Sequence, residues 1–177
     1  MRVKIEELSE ENLHDINKPI QPFDVIGGII PAFQNGEWSF TEYLLDKPYE
    51  KFYGIEDLNY SEYINNPNQT IYLCYSGDEC VGQIEIKVNW NRFALIRDIA
   101  VAKTARGKGV GRALIEKAIE WAKHKNLCGL VLETQDFNLT ACRFYHKVGF
   151  TIGAVDTMMY TGFGNTKESA IFWYMKF

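Results

Sequence analysis

The sequence has 177 residues, of which 46% are hydrophobic, and this is enough apolar material for one domain over residues 1–177. Nineteen basic and 23 acidic side chains leave a net charge of −4, which argues against broad electrostatic binding to nucleic acid or to an anionic membrane. The N-terminal stretch is charged where a signal peptide is apolar, and no segment has the length of a membrane span, so we expect a cytoplasmic protein.

The cysteines and the three histidines form no pattern typical of a metal site. Cys74, Cys80, Cys128 and Cys142 include no Cys-x-x-Cys pair and lie mostly in apolar surroundings. This distribution favours buried, reduced thiols over metal ligands or disulfides. We therefore predict no metal.

The first part of the chain predicts a strand, a short helix and a hairpin. The strand covers 3–8, and the helix begins with Ser9 as its N-cap. Two apolar runs, 23–33 and 38–45, flank an Asn-Gly pair that is typical of a tight β-hairpin turn. The aromatic and acidic stretch 38–63 suits a pocket for a cation, or equally a core with a solvated face.

Three apolar runs at 71–75, 80–88 and 93–101 are separated by turns and predict an antiparallel meander. In the middle strand apolar side chains alternate with polar ones, so we expect one buried face and one more polar face that carries Glu85. In the third strand we expect Asp98 to lie on the face opposite its neighbours.

A basic, glycine-rich loop follows the third strand and precedes an amphipathic helix that runs from near Gly111 to about Lys125. The loop consists of Ala105, Arg106, Gly107, Lys108, Gly109, Val110, Gly111 and Arg112. Because glycine has no Cβ, successive backbone N–H groups can point toward one anion, and the helix N-terminus adds a positive dipole. The loop therefore predicts a pyrophosphate site.

Other phosphate-binding loops fit this segment poorly. A Walker A loop needs Ser or Thr after its lysine, and a Rossmann fingerprint opens a βαβ unit, whereas here the preceding segments are predicted hairpins. A glycine-rich turn with solvated basic residues remains the alternative.

The C-terminal part alternates strands and one helix. A buried strand at 130–134 is predicted to run parallel to the third meander strand, because a loop and a helix connect the two. A second helix is predicted over 138–147, with Asn138 as its N-cap and Gly149 as the residue that stops it. Strands are predicted at 150–160 and 170–177.

Two motifs in this order, Arg106-x-x-Gly109-x-Gly111 and then Asn138 with Phe144-Tyr145 and Gly149-Phe150, resemble the GNAT superfamily of N-acyltransferases. The resemblance implies an α/β (α+β) fold: a mixed, mostly antiparallel central sheet with flanking helices and a splayed pair of parallel strands. It implies acetyl-CoA as cofactor.

Segments scattered over nearly the whole chain, among them Trp38–Glu42, Glu120–Leu127 and Leu132–Asp136, more specifically resemble the streptothricin acetyltransferases. These enzymes inactivate a cationic antibiotic by acetylating its β-lysine moiety. Acetylation of another amine, such as an aminoglycoside, a polyamine or a protein lysine, is an alternative. So is a non-catalytic acyl-CoA-binding module. A homodimer is compatible with the sequence.

The resemblance also implies cofactor contacts. The strand end at Ile99, Ala100 and Val101 would pair with pantetheine, with a backbone N–H near Ile99 polarising the thioester carbonyl. The glycine-rich loop would hold the pyrophosphate, and Asn138 the pantetheine arm. Tyr145 would protonate the departing thiolate, the alternative being a core aromatic.

The general base cannot be carried over from the resemblance, because Leu95 stands where some GNAT enzymes have glutamate. Glu85 and Asp98 are our candidates for a base or an amine anchor, although structural salt bridges are equally compatible with them. A nucleophilic Cys142 is disfavoured, since no base is visibly paired with it. For the acceptor pocket we predict five residues: Trp38, Phe40, Glu42, Asp136 and Asp156.

Overall fold

The computed structural model describes residues 2–164 and 167–177. They form nine strands and two α-helices, with short 3-10 turns between them. The strands are β1 (Lys4–Glu7), β2 (Phe23–Gln34), β3 (Glu37–Lys51), β4 (Gln69–Ser76), β5 (Glu79–Val88), β6 (Ala94–Val101), β7 (Gly129–Gln135), β8 (Thr151–Asp156) and β9 (Ala170–Lys176). The helices are α1 (Val110–His124) and α2 (Leu139–Lys147).

The chain groups into two compact units. Unit 1 contains residues 1–21, 52–130 and 177, and unit 2 contains 22–51 and 131–176. The single-domain organisation stays a prediction. The strands other than β2 and β3 make a mixed, mostly antiparallel sheet of seven strands with one parallel pair, which confirms the predicted fold class.

Unit 1 is built on the antiparallel order β1-β4-β5-β6, and this confirms the predicted meander. Helix α1 packs closely on β5, because a Cβ at Gly82 would lie 2.8 Å from the Val110 side chain and 3.1 Å from that of Leu114. Ile84, Ile86 and Leu114 are fully buried in this core. The first turn of α1 therefore packs directly against β5.

Unit 2 combines the strand order β7-β9-β8 with α2 and the hairpin β2–β3. Asn35 and Gly36 have the left-handed φ values of +52° and +84° that a tight turn requires, and both hairpin strands extend beyond the predicted ranges. Trp173 and Phe150 are among the fully buried side chains of this unit. The hairpin prediction is thus confirmed.

Two predicted elements are wrong. The segment after Ser9 forms only a 3-10 turn at Leu13–Asp15, and the N–H of Ser9 donates to Asn12 Oδ1 at 2.8 Å instead of Ser9 capping a helix. The strand predicted for 150–160 ends at Asp156, because the Asp156 carboxylate accepts the N–H groups of the next turn.

The cysteines are free thiols, of which Cys128 is exposed and the other three are buried. In the described part of the chain, no cluster of His, Cys, Asp and Glu could hold a metal ion. None of the helices in the described residues is long and apolar enough to cross a membrane.

Candidate active site

Residues 106–109 of the glycine-rich loop in unit 1 are exposed, and Gly107 and Gly109 adopt conformations that other residues disfavour. Gly107 has φ +72° and Gly109 has φ +91°, and a Cβ at either position would meet no atom within 4 Å. Glycine is therefore needed here for backbone conformation and not for packing room. The open space leaves the loop accessible to a ligand.

Gly109 is also the N-cap residue of α1, and the helix has no side-chain cap. The first N–H groups of α1 therefore have no cap acceptor and present a partial positive charge to the loop. Lys108 and Arg112 are exposed beside them. Arg106 Nε donates to the carbonyl of Val101 at 2.9 Å, so this side chain braces the loop against the end of β6.

Strand β6 contains a β-bulge just before the predicted pantetheine-pairing segment. Glu85 of β5 pairs with Asp98, and the next β5 residue, Ile86, pairs with Ile96, so Arg97 is the extra residue. The bulge interrupts the alternation of the strand. As a result both Arg97 and Asp98 interact with polar groups of β5, and the expectation that they occupy opposite faces is wrong.

Glu85 is buried, with 5% of its surface exposed, and has two strong partners. It accepts a hydrogen bond from the Tyr63 hydroxyl at 2.5 Å and forms an ion pair with Arg97 Nε at 2.8 Å. Burial, followed by the adjacent Glu85, raises the pKa of Tyr63 above its usual value. The negative charge of Glu85 is thus balanced by Arg97 within a network of polar side chains.

Asp98, the cross-strand partner of Glu85, has a different environment. Gln83 Nε2 donates to its carboxylate at 3.0 Å, and Gln83 Oε1 accepts the backbone N–H of Asn17 at 2.8 Å. Burial raises the pKa of Asp98; the Gln83 hydrogen bond opposes this shift, and the charges of Glu85 and Glu56 add to it. Asp98 is therefore a carboxylate poised to accept a proton.

We call Glu85 and Asp98 the carboxylate pair. The sequence pattern indicates that both residues lie on neighbouring strands, but it does not reveal their supporting residues Tyr63, Gln83 and Arg97. The alternating polar positions of β5 were the available signal. What the alternation could not show is that Gln83 and Glu85 are buried at 3% and 5% exposure.

In unit 2, Asn138 caps α2 as predicted, because its Oδ1 accepts the N–H of Ala141 at 3.2 Å. Tyr145 lies on the buried side of α2 with 8% exposure, and its ring packs at 5.9 Å from Phe150 and 6.3 Å from Trp173. Its ring is thus rigidly held by aromatic packing, whichever role its hydroxyl has.

Strand β2 crosses the chain directly after β7. Ile29 N–H donates to the carbonyl of Asp136 at 2.8 Å, and a Cβ at Gly28 would lie 2.6 Å from that same carbonyl and 2.6 Å from the Tyr43 hydroxyl. Burial raises the pKa of the Asp136 carboxyl. Among the predicted acceptor residues, Asp136 is therefore held at a tightly packed crossing next to a tyrosine hydroxyl.

Trp38 and Phe40 line a cavity of about 330 Å³ with His146 and Trp173. Phe40 makes edge-on contacts with the rings of His146 at 5.3 Å and Trp173 at 6.0 Å. No carboxylate is among the described residues that line this cavity. Its walls can contact an aromatic or apolar group, or a cation through ring faces.

Glu42 and Asp156 both have structural partners. Arg143 forms a bidentate ion pair with Glu42, at 3.1 Å and 3.0 Å from Nε, and holds the pKa of that carboxyl below its usual value. Asp156 Oδ1 accepts the N–H groups of Met158 at 2.7 Å and Met159 at 3.0 Å. Both carboxylates are therefore occupied by contacts within the protein.

Glu133 is a further buried-strand carboxylate that the sequence motifs do not indicate. It lies in β7 between buried Leu132 and Thr134, accepts a hydrogen bond from the Tyr160 hydroxyl, and has its pKa raised by burial. The available signal was a single acidic residue inside the apolar run 130–134.

Comparison with known proteins places the chain among acetyltransferases. The acetyltransferase (GNAT) family model matches residues 34–150, a range that contains the carboxylate pair, the glycine-rich loop and Tyr145. Streptothricin acetyltransferase A of Bacillus subtilis (strain 168) is 53% identical over 173 residues, which are 98% of this chain and 99% of that protein. A streptothricin acetyltransferase of Escherichia coli is 40% identical over 128 residues, 72% of this chain and 70% of that protein.

Among solved structures, a protein from Bacillus anthracis str. Ames, assigned as a streptothricin acetyltransferase and crystallised in complex with acetyl coenzyme A, superimposes with a TM-score of 0.92. It is 39% identical, and the match covers 99% of this chain and 100% of that one. The fold of the chain is thus found in a family that the sequence motifs also indicate. The chain belongs to the acetyltransferase (GNAT) family.

Proposed function

We propose that this protein transfers the acetyl group of acetyl-CoA to an amine of streptothricin and so inactivates the antibiotic. The observation that carries the proposal is the 53% identity, over 98% of the chain, to the Bacillus subtilis enzyme named streptothricin acetyltransferase A. Acetyl-CoA as donor accords with the family and with the Bacillus anthracis structure that contains it. The net charge of −4 suits a cationic acceptor.

The glycine-rich loop fits the pyrophosphate of the donor. Its left-handed glycines leave open space, the N-terminal N–H groups of α1 have no side-chain cap, and Lys108 and Arg112 add charge. The end of β6 at Ile99–Val101, which follows the bulge, would pair with the pantetheine arm. When bound, acetyl-CoA supplies an acetyl thioester that is reactive toward a neutral amine.

A lysine-like amine is protonated at neutral pH, so the enzyme must remove a proton. With a pKa of about 10.4, neutralising the amine at pH 7 costs about 4.6 kcal/mol. We assign this proton to Asp98, whose half-buried carboxylate accepts a hydrogen bond from Gln83 alone among the described side chains. Glu85 is less suited, since Tyr63 and Arg97 already satisfy it.

Tyr145 is our candidate for the proton donor to the departing thiolate. Replacing it with phenylalanine should preserve the ring packing on Phe150 and Trp173 while lowering kcat by roughly 100-fold or more. Tyr75→Phe, which removes another buried hydroxyl bonded to Asp15, is the matched control and should leave kcat unchanged. Unchanged turnover of Tyr145→Phe would remove this residue from the mechanism.

On the acceptor side, Trp38, Phe40 and Asp136 remain our proposed contacts. We expect Trp38→Ala and Phe40→Ala to raise KM for the acceptor more than KM for acetyl-CoA, because both rings line a cavity. Glu42 and Asp156 have structural partners, so their replacement should lower thermal stability more than acceptor binding.

The direct test is a mass spectrum of streptothricin after incubation with the protein and acetyl-CoA, with free thiol measured in parallel. We expect one added acetyl group per molecule and one thiol released per acetyl transferred. Controls without enzyme and with Tyr145→Phe define the background. Unmodified streptothricin, together with tight acetyl-CoA binding, would overturn the acceptor assignment and leave the donor assignment in place.

A further inference from the structure

Glu133 of β7 is a carboxylate inside a buried stretch of strand that has no cationic partner. Its neighbours Leu132 and Thr134 are 1% and 6% exposed. None of the described residues forms an ion pair with Glu133, and its polar partner is the Tyr160 hydroxyl. Glu133 itself is half-buried, and partial removal of a carboxylate from water without a counter-charge is unfavourable, so such a group is a candidate for a ligand site.

The residues around Tyr160 are held in a defined turn. Asp156 accepts the N–H groups of Met158 and Met159, and Thr161 Oγ1 donates to the Met158 carbonyl at 2.7 Å. This turn fixes the chain on both sides of Tyr160, and so its hydroxyl is directed to Glu133. The same turn leaves large apolar side chains exposed: Met158 at 69%, Met159 at 44% and Phe163 at 87%.

We infer that Glu133 and Tyr160 form a subsite for an ammonium group carried on an alkyl chain, namely a second, non-reacting amine of the acceptor. The carboxylate would supply the counter-charge, and the exposed methionine and phenylalanine side chains would contact the alkyl chain. This inference rests on the proposed function, in which the acceptor is polycationic. The subsite makes the enzyme selective for acceptors with two amines over those with one.

The test is calorimetric binding of streptothricin to the protein saturated with coenzyme A, which permits binding without turnover. Glu133→Gln keeps the shape and the Tyr160 contact but removes the charge, and should weaken streptothricin binding roughly 10-fold or more. Tyr160→Phe should weaken it less. Glu120→Gln, which removes a surface glutamate paired with Lys117 at 2.9 Å, is the matched control and should bind normally.

Wild-type affinity of Glu133→Gln for streptothricin would overturn the subsite. So would normal binding combined with a large loss of kcat, since that result assigns Glu133 to the chemical step. If the wild-type protein acetylates other amines but not streptothricin, the proposed function fails, and the subsite is then tested with those amines. Wild type should prefer diamines to monoamines of equal length, and Glu133→Gln should lose this preference; an unchanged preference would contradict the subsite.

Discussion

The glycine-rich loop and the carboxylate pair follow one another in unit 1, yet they are built on opposite principles. The loop is exposed and basic, and its geometry depends on the backbone conformation of Gly107 and Gly109. The carboxylate pair is acidic and enclosed, and its properties depend on which side chains surround it. A site made by backbone conformation leaves a local signature in the sequence, whereas a site made by packing does not.

The largest effect that separates the two regions is expected from Gly109→Val. A β-branched residue is strained at φ +91°, so the loop should lose the conformation that presents the α1 N–H groups. We expect acetyl-CoA affinity to fall by roughly 100-fold or more, measured by calorimetry, with a moderate decrease in melting temperature.

Gly54→Val is the control for this variant. Gly54 has φ +85°, and a Cβ added there would meet no atom within 4 Å. A valine at this position is therefore under a comparable backbone strain, at a site remote in sequence from the loop. It should lower the melting temperature and leave acetyl-CoA binding intact. Equal losses of affinity in both variants would show that Gly109 acts through stability.

The next largest effect distinguishes the members of the carboxylate pair. Asp98→Asn should lower kcat/KM by roughly 100-fold or more if Asp98 accepts the amine proton, with acetyl-CoA binding unchanged. Glu85→Gln should have a smaller effect on kcat and a larger effect on stability, because it breaks the pairing with Arg97 and Tyr63. The reverse order of kcat effects would transfer the proton-accepting role to Glu85.

The pH profile sharpens the assignment of Asp98. Activity should rise between about pH 6 and pH 8 as a growing fraction of the acceptor amine loses its proton. Gln83 stabilises the charged form of Asp98, so Gln83→Leu should raise the pKa of Asp98 further. The acid limb of kcat/KM should therefore move to higher pH; a limb that stays in place would exclude Asp98 from it.

Stability should change in the opposite direction from activity. Because the pKa of Asp98 is raised in the folded state, the folded protein holds this proton more tightly than the unfolded chain, and stability falls as pH rises from about 4 toward the folded pKa. The Asp98→Asn variant cannot undergo this loss of stability, so it should melt at a higher temperature than the wild-type protein at pH 7.5. The difference should vanish near pH 4, and a destabilised variant at pH 7.5 would contradict it.

The smallest effect concerns ionic strength. Raising salt should increase KM for a polycationic acceptor by roughly twofold to tenfold, since screening weakens its attraction to an acidic protein. For an uncharged acceptor, KM should change little with salt. A flat response for the polycation would mean that contacts other than charge control its binding.

How much could be predicted from the sequence differs between elements for physical reasons. The hairpin turn at Asn35-Gly36 and the caps at Asn138 and Gly149 were predictable, because each depends on the conformation of one or two residues. The strand end at Asp156 was not, because an apolar run does not reveal that a carboxylate will capture the next N–H groups.

The meander, helix α1 and the glycine-rich loop can be predicted from the sequence alone, since periodicity and glycine conformation are local properties. The bulge at Arg97, its ion pair with Glu85 and the single side-chain hydrogen bond from Gln83 to Asp98 depend instead on the folded sheet. The reason is that strand register and burial set the charge environment of a carboxylate, and both arise from segments far apart in the chain.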